Sequence, residues 1–210
     1  MARVKICGIN SEAAFDAAHD GSADWIGFVF FARSPRFVTP AQAARLSARK
    51  PGGPLRVGLF VEPGDAEIAA TLAVVPLDVL QVYADAPRAA AIRARFGVAV
   101  WRAVGVGVVA DLPRDAAGID GYIVEAKPPA DATRPGGNAV TFDWTLTAGW
   151  AAPAPWLLAG GLTPGNVGDA IGQSGAPAVD VSSGVESGPG VKDASLVARF
   201  IAAAKVRALP

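Results

Sequence analysis

The sequence predicts a single-domain (β/α)8 barrel over residues 1–210, and three observations support this prediction. Eight short apolar segments recur at intervals of roughly 20–35 residues, the length of one βα unit. Helical stretches fall between them. A chain of 210 residues, 51% of them hydrophobic, can bury one core of barrel size. A doubly wound sheet is the alternative, but it usually has fewer strands at this length.

The eight apolar segments are rich in Val and Ile and nearly continuous, which is typical of parallel strands buried on both faces. We therefore expect strands at 3–8, 24–30, 55–61, 78–83, 98–106, 121–125, 156–161 and 178–184.

Helix signals occupy the intervals between these strands, at 11–20, 39–50, 63–75, 87–97, 109–118, 142–150, 163–172 and 193–206. The second helix has a complete start signal: Thr39 as N-cap, Pro40 in the first turn and Gln42 to complete a capping box. The fourth should end at Gly97. The stretch 109–118 is weak because it contains a proline. Residues 126–140 form a loop long enough to act as a lid.

The composition excludes several classes of protein. Lys plus Arg and Asp plus Glu both number 19, and no basic run suggests a nucleic acid or membrane partner. One Cys and one His exclude an internal disulfide and make a Cys/His metal site untenable. No signal peptide and no apolar run of ~18 residues is visible. We expect a cytoplasmic monomer that binds no metal.

Strand parity places specific side chains at the mouth of the barrel, where the active site of this fold forms. In the segment VKICG, Val4 and Ile6 suit the outer layer, so Lys5 and Cys7 turn toward the barrel axis. The same argument turns Asp180 inward at the last strand. Arg36, Gln81 and Glu125 also follow or end strands and are candidate site residues.

The ends of the last two strands are rich in glycine and serine, as LAGGLTP and DVSSGVESGPG. Glycine lets backbone N–H groups approach an anion closely, and barrels often bind phosphate with the loops after strands 7 and 8. The predicted phosphate-binding residues are Gly160, Gly161, Ser182, Ser183 and Gly184.

Several segments together resemble the phosphoribosylanthranilate isomerase family: VKICGI, IGFVF, SPRFV, LAGGLTPGNV and VDVSSGVESGPGVKD. The resemblance implies a (β/α)8 barrel, no cofactor, a phosphorylated small-molecule substrate and an Amadori rearrangement in tryptophan biosynthesis. It also implies roles: Cys7 as general base, Arg36 as ligand of the anthranilate carboxylate, and Glu125 as general acid. A neutral-pH base needs a thiol pKa below ~8.5, and Lys5 is placed to lower it.

Three positions depart from the family pattern: Glu125 replaces an aspartate, Tyr83 a histidine and Ala84 a glycine. Asp180 is a competing candidate for the acid, and it can serve either the substrate or Lys5 as a buried partner. The departures motivate one alternative function, a phosphosugar-binding barrel with weakened catalysis. A second alternative is the related isomerase of the histidine pathway, which uses two aspartates and resembles two fused half-barrels.

Overall fold

The chain folds into a closed barrel of eight parallel strands. The computed structural model describes residues 1–127, 136 and 141–206. Adjacent strands pair in chain order, and β1 closes the barrel by pairing with β8. The strands are β1 Arg3–Cys7, β2 Trp25–Val29, β3 Leu55–Val61, β4 Val79–Tyr83, β5 Ala99–Val106, β6 Gly121–Ala126, β7 Trp156–Leu158 and β8 Ala178–Val181. The barrel predicted from the sequence is thus confirmed.

Within the described residues, six α-helices surround the barrel: α1 Glu12–Asp20, α2 Pro40–Ser47, α3 Asp65–Leu72, α4 Ala86–Phe96, α5 Val167–Ser174 and α6 Ala194–Lys205. The predicted capping box forms, since the Thr39 hydroxyl accepts from the Gln42 amide and Gln42 accepts from the Thr39 amide. Gly97 ends α4 in the left-handed conformation, with φ of 68°. The local start and stop signals therefore hold in the folded chain.

Side-chain alternation divides the interior into two layers. Val4 and Ile6 of β1 lie in the large core between strands and helices, as parity predicts. A second apolar cluster inside the barrel contains Trp25, Trp101 and Ile123, and the two tryptophan rings meet edge to face. The side chains of this inner cluster pack the barrel interior. The carboxyl ends of the strands are therefore the place left for a ligand.

The structure differs from the sequence prediction in its short helices. Only a 3-10 turn, Val109–Asp111, forms within 109–118, because Pro113 lacks the donor that would continue the helix. A second 3-10 turn, Trp144–Thr147, replaces the helix predicted at 142–150. The helix predicted at 163–172 begins later, at Val167, after the N-cap Asn166.

The last two strands, β7 and β8, each end three residues earlier than predicted, and a hairpin was not foreseen. β7 ends at Leu158, and Gly160 and Gly161 then adopt positive φ angles of 87° and 63°, which are incompatible with a strand. After β8, a hairpin of β9 Glu186–Gly188 and β10 Val191–Lys192 forms. Most of the lid predicted at 126–140 lies outside the described residues. No helix in the described part of the chain is long and apolar enough to cross a membrane.

Candidate active site

The carboxyl ends of the strands surround a cavity that opens to solvent at the mouth of the barrel. Every site residue that the sequence predicts lines this cavity: Cys7, Arg36, Gln81, Glu125, Gly160, Gly161, Asp180, Ser182, Ser183 and Gly184. Their predicted positions at the carboxyl ends of the strands thus correspond to one shared location.

Cys7 is buried at the end of β1, next to Lys5 on the same face of the strand. Burial raises the pKa of the thiol, and the Lys5 ammonium, which lowers it, does not compensate fully. The expectation of a thiol pKa below its ordinary value is wrong, because the desolvation of the buried Cys7 side chain outweighs the neighbouring charge.

Lys5 and Asp180 form a buried ion pair across the seam between β1 and β8, where they are paired in register. Lys5 Nζ lies 2.9 Å from each carboxylate oxygen of Asp180. Burial opposes the charge of Lys5, but Asp180 and Cys7 hold the pKa of the ammonium above its ordinary value. Asp180 was considered as a substrate ligand or as the buried partner of Lys5. The distances show the second arrangement, the pairing with Lys5.

Glu125, on β6, is 6% exposed and carries its carboxyl group into the cavity. Burial raises the pKa of this carboxyl to about 8, and the adjacent Tyr83 hydroxyl opposes the shift. Gly136 packs so closely on both groups that a methyl there would overlap the Tyr83 hydroxyl. At neutral pH Glu125 therefore holds a proton that it can donate.

Gln81, on β4, is fully buried and points into the cavity. Neither its amide nitrogen nor its amide oxygen has a hydrogen-bond partner among the described residues. An unpaired buried polar group costs about 1–3 kcal/mol, so such a group in a cavity suggests a ligand contact.

Arg36 is buried, with only 4% of its surface exposed, and is therefore not a solvated surface arginine. Its Nε donates to Glu186 Oε1 at 2.7 Å, and its Nη2 donates to Glu186 Oε2 at 2.9 Å. Glu186 also accepts a hydrogen bond from Lys192 Nζ at 2.7 Å. The guanidinium thus lines the cavity as one member of a buried three-residue cluster.

The two glycine-rich loops meet at the mouth beside β7 and β8. A methyl at Gly184 would overlap the carbonyl oxygen of Leu162, so the loops approach as closely as they do only because residue 184 is glycine. Among the described residues, the amides of Gly160, Gly161, Ser183 and Gly184 have no acceptor. These free N–H groups can bind an anion.

The hydroxyl of Ser182 is already occupied. It donates to the carbonyl of Cys7 at 3.2 Å, and Lys192 Nζ lies 3.3 Å from the same hydroxyl. Lys192 also donates to the Ser182 carbonyl at 2.9 Å. Ser182 therefore ties β8 to β1, and the backbone amides, rather than this hydroxyl, remain for a ligand.

Glu186 and Lys192 were missed as site residues by the sequence reasoning. Both are side chains of the unforeseen hairpin, with 4% and 0% exposure. The signal was present in the motif VESGPGVK, where two glycines and a proline between a Glu and a Lys are typical of a turn. No cluster of three or more His, Cys, Asp or Glu residues suited to a metal occurs within the described residues.

Comparison with known proteins gives a consistent result. The family profile described as N-(5'phosphoribosyl)anthranilate (PRA) isomerase matches residues 4–203. An N-(5'-phosphoribosyl)anthranilate isomerase from Acidiphilium cryptum (strain JF-5) is 59% identical over 206 residues, which are 97% of this chain and 98% of that protein.

Two solved structures have the same fold over nearly the whole chain. One, a phosphoribosyl anthranilate isomerase in complex with reduced 1-(o-carboxyphenylamino)-1-deoxyribulose 5-phosphate, is 33% identical with a TM-score of 0.83, covering 98% of this chain and 99% of that one. The other, monomers generated from the dimeric Thermotoga maritima phosphoribosylanthranilate isomerase, is 34% identical with a TM-score of 0.82 at the same coverage.

Proposed function

The chain belongs to the N-(5'-phosphoribosyl)anthranilate isomerase family, and we propose that it performs the isomerisation with Cys7 as general base and Glu125 as general acid. The reaction is the Amadori rearrangement of N-(5-phosphoribosyl)anthranilate to 1-(2-carboxyphenylamino)-1-deoxyribulose 5-phosphate, a step of tryptophan biosynthesis. One observation carries the assignment: a thiol on β1 and a protonated carboxyl on β6 line the same cavity.

The chemistry requires one proton to be donated and another to be removed. Glu125 gives its proton to the furanose ring oxygen, the C1–O bond breaks, and nitrogen supplies the electron pair that forms an iminium at C1. Burial raises the pKa of the Cys7 thiol, so the fraction of thiolate depends on the neighbouring Lys5 ammonium, which favours it. In this thiolate form Cys7 removes the proton from C2, and the resulting enolamine tautomerises to the ketone. Each group ends in the protonation state opposite to its starting one, so turnover requires proton return.

The two acidic ends of the substrate match two separate parts of the cavity. The free amides of the loops at Gly160–Gly161 and Ser183–Gly184 support binding of the phosphate. Arg36 supports binding of the anthranilate carboxylate, since a guanidinium forms paired hydrogen bonds with carboxylates. Both amide atoms of Gln81 lack a partner among the described residues, which supports a hydrogen bond from Gln81 to the part of the substrate between its two acidic ends.

The two alternative functions are less well supported by this geometry. A barrel with weakened catalysis would have no need of a buried carboxyl that stays protonated at neutral pH, yet Glu125 is one. The histidine-pathway isomerase uses two aspartates, whereas here Cys7 takes the first position. We therefore keep the anthranilate-pathway reaction.

We also propose finer properties that accompany this activity. The isomerisation is an aldose–ketose conversion that uses no cofactor, and the chain over 1–210 acts as one barrel domain. We propose a cytoplasmic location, and a monomer in solution. The Thermotoga maritima relative is dimeric, so the oligomeric state needs a direct test. Light scattering during size-exclusion chromatography gives the molar mass, and a value of twice 21.3 kDa would contradict the proposed monomer.

Steady-state turnover, followed as loss of the substrate's anthranilate-type fluorescence, tests the base. Cys7→Ala should lower kcat by ~10²–10⁴, the usual contribution of a positioned base, while binding of the product analogue persists. Turnover at the level of the unmodified protein would reject Cys7 as the base.

The acid is tested with a set of carboxyl variants in the same assay. Glu125→Gln should nearly abolish turnover, because the amide has no acidic proton to donate. Glu125→Asp keeps a carboxyl group and should retain much of the turnover or exceed that of the unmodified protein. If Glu125→Gln keeps turnover and Asp180→Asn loses it, the acid is Asp180.

A further inference from the structure

The hairpin after β8 packs directly on the segment that carries Arg36. Gly190, at its turn, has a φ of 79°, and a methyl there would overlap the carbonyl oxygen of Pro35. The Gly190 carbonyl accepts a hydrogen bond from Asn10 Nδ2 at 2.8 Å. The Gly190 amide donates to Glu186 Oε2 at 3.1 Å. The hairpin is thus fixed on both sides, and its Glu186 has a defined position.

Glu186 holds one edge of the Arg36 guanidinium in a paired contact. Nε and Nη2 lie 2.7 and 2.9 Å from the two carboxylate oxygens, and both side chains are at most 5% exposed. A planar guanidinium held by one edge has a single orientation. The edge formed by Nη1, which has no acceptor among the described residues, and the second hydrogen of Nη2 is then left for a second carboxylate.

Lys192 changes the charge of this cluster. Its ammonium lies 2.7 Å from Glu186 Oε1, so one carboxylate faces two cations. Burial opposes ionisation of Glu186, but the hydrogen bond from Arg36 and the charge of Lys192 outweigh it and hold the carboxyl pKa below its ordinary value. Without Lys192, Glu186 would cancel the charge of Arg36. Burial lowers the pKa of the Lys192 ammonium, and its contact with Glu186 opposes this shift. With Lys192 charged, the cluster keeps a positive charge for an anion.

We infer that Glu186 is a positioning residue that orients Arg36 toward the substrate's ring carboxylate while Lys192 preserves the positive charge needed to bind it. This inference rests on the proposed function, in which Arg36 binds that carboxylate. Glu186 itself touches no substrate. Glu186 fixes the Arg36 side chain before the ligand arrives. The conformational entropy of that side chain is then not lost during binding.

The test compares two ligands that differ in one group. The first is reduced 1-(o-carboxyphenylamino)-1-deoxyribulose 5-phosphate, and the second is the same compound without the ring carboxylate. Calorimetry gives Kd of each for the unmodified protein and for Glu186→Gln. Glu186→Gln also removes a negative charge beside Arg36, which by itself would favour an anion. We expect the loss of orientation to outweigh this effect, so that Kd of the carboxylated ligand rises ~10–100-fold, as for one charge-assisted hydrogen bond, and Kd of the other changes less than ~3-fold.

Two further variants keep the test decisive. Glu186→Asp retains the charge but withdraws the carboxylate by one methylene, and it should show the same selective loss to a smaller extent if the Gln variant does not fold. Asp120→Asn removes a carboxylate from another arginine pair, with Arg93, away from the cavity, and should leave both Kd values unchanged.

The pattern of losses separates the possible failures. Equal weakening of both ligands by Glu186→Gln means a structural role and overturns the inference, as does no weakening of either. If Arg36→Ala discriminates between the ligands and the Glu186 variants do not, the inference falls while the carboxylate assignment stands. If Arg36→Ala does not discriminate either, both are wrong.

Discussion

The protonation state of Glu125 illustrates how burial sets the chemistry of a single residue. Its carboxyl pKa is raised from 4.5 to about 8, mainly by desolvation, so the folded protein holds this proton far more tightly than the unfolded chain. The buried thiol of Cys7 is shifted upward for the same reason. Burial therefore favours the protonated form that the proposed acid Glu125 needs, and it disfavours the thiolate form that the proposed base Cys7 needs. The charge of Lys5 is the neighbouring group that favours the thiolate.

Glu125 should make the protein less stable as the pH rises. Its raised folded-state pKa contributes stability that is fully present below pH 4.5 and is lost as the pH rises through about 8. Within that window its share of the free energy of unfolding falls by up to about 1.4 kcal/mol per pH unit. Glu125→Gln, which has no proton to lose, should remove this share.

Urea unfolding of both proteins at pH 5 and pH 8 measures the effect. The free energy of unfolding of Glu125→Gln minus that of the unmodified protein should be more favourable to the variant at pH 8 than at pH 5. A stability difference between the two proteins that does not depend on pH would mean that the pKa of Glu125 is not raised in the folded state.

Gln81 should trade stability for ligand binding. Its buried amide has no partner among the described residues, so Gln81→Met, of similar volume, removes a desolvation cost of about 1–3 kcal/mol. The variant should unfold at a higher temperature than the unmodified protein and should bind the reduced product analogue ~10-fold more weakly. Thermal unfolding and calorimetry give the two values. A less stable variant, or one with unchanged affinity, would contradict a ligand-facing role.

At the scale of the element, sequence patterns located those side chains that depend on strand periodicity. The alternation of Val4 and Ile6 with Lys5 and Cys7 is enough to predict which pair enters the barrel, because a strand has only two faces. The Glu186–Lys192 cluster could not be obtained in this way. It depends on a two-stranded hairpin of three and two residues, whose pairing follows from contacts with Pro35 and Asn10 that are distant in sequence.

The loops after β7 and β8 depend on one close contact, which Gly184→Ala should disrupt. The added methyl overlaps the Leu162 carbonyl, so the loops must separate, at a cost typical of overpacking, about 1–3 kcal/mol. If the amides of these loops bind the phosphate, the inhibition constant of inorganic phosphate should rise by ~10-fold.

Gly172→Ala is the matched control for this variant. Gly172 lies within α5, and a methyl there meets no atom within 4 Å. Alanine should therefore raise stability by about 0.5–1 kcal/mol, as expected within a helix, and leave phosphate inhibition unchanged. A folded Gly184→Ala protein with unaltered phosphate inhibition would show that the anion binds elsewhere.

For the whole molecule, the Lys5–Asp180 pair lies at the seam where the first and last strands close the barrel. The two residues are partners in the β1–β8 register and are almost completely buried, so each ion depends on the other for its solvation. A barrel has no free edge once this seam is paired. We therefore expect the ion pair to contribute to closure of the barrel as well as to lie beside Cys7.

A double-mutant cycle at pH 7 tests the energetic coupling across this seam. Lys5→Met and Asp180→Asn should each destabilise by about 3–5 kcal/mol, because each leaves an uncompensated buried charge. The double variant removes both charges and should cost less than the sum of the two by a few kcal/mol. The equivalent cycle on the exposed pair Lys50–Asp20, 2.8 Å apart, should give a far smaller coupling, because solvent screens this pair. Additive losses at Lys5 and Asp180 in urea unfolding would mean that each residue acts independently, and that backbone pairing and apolar packing alone hold β1 to β8.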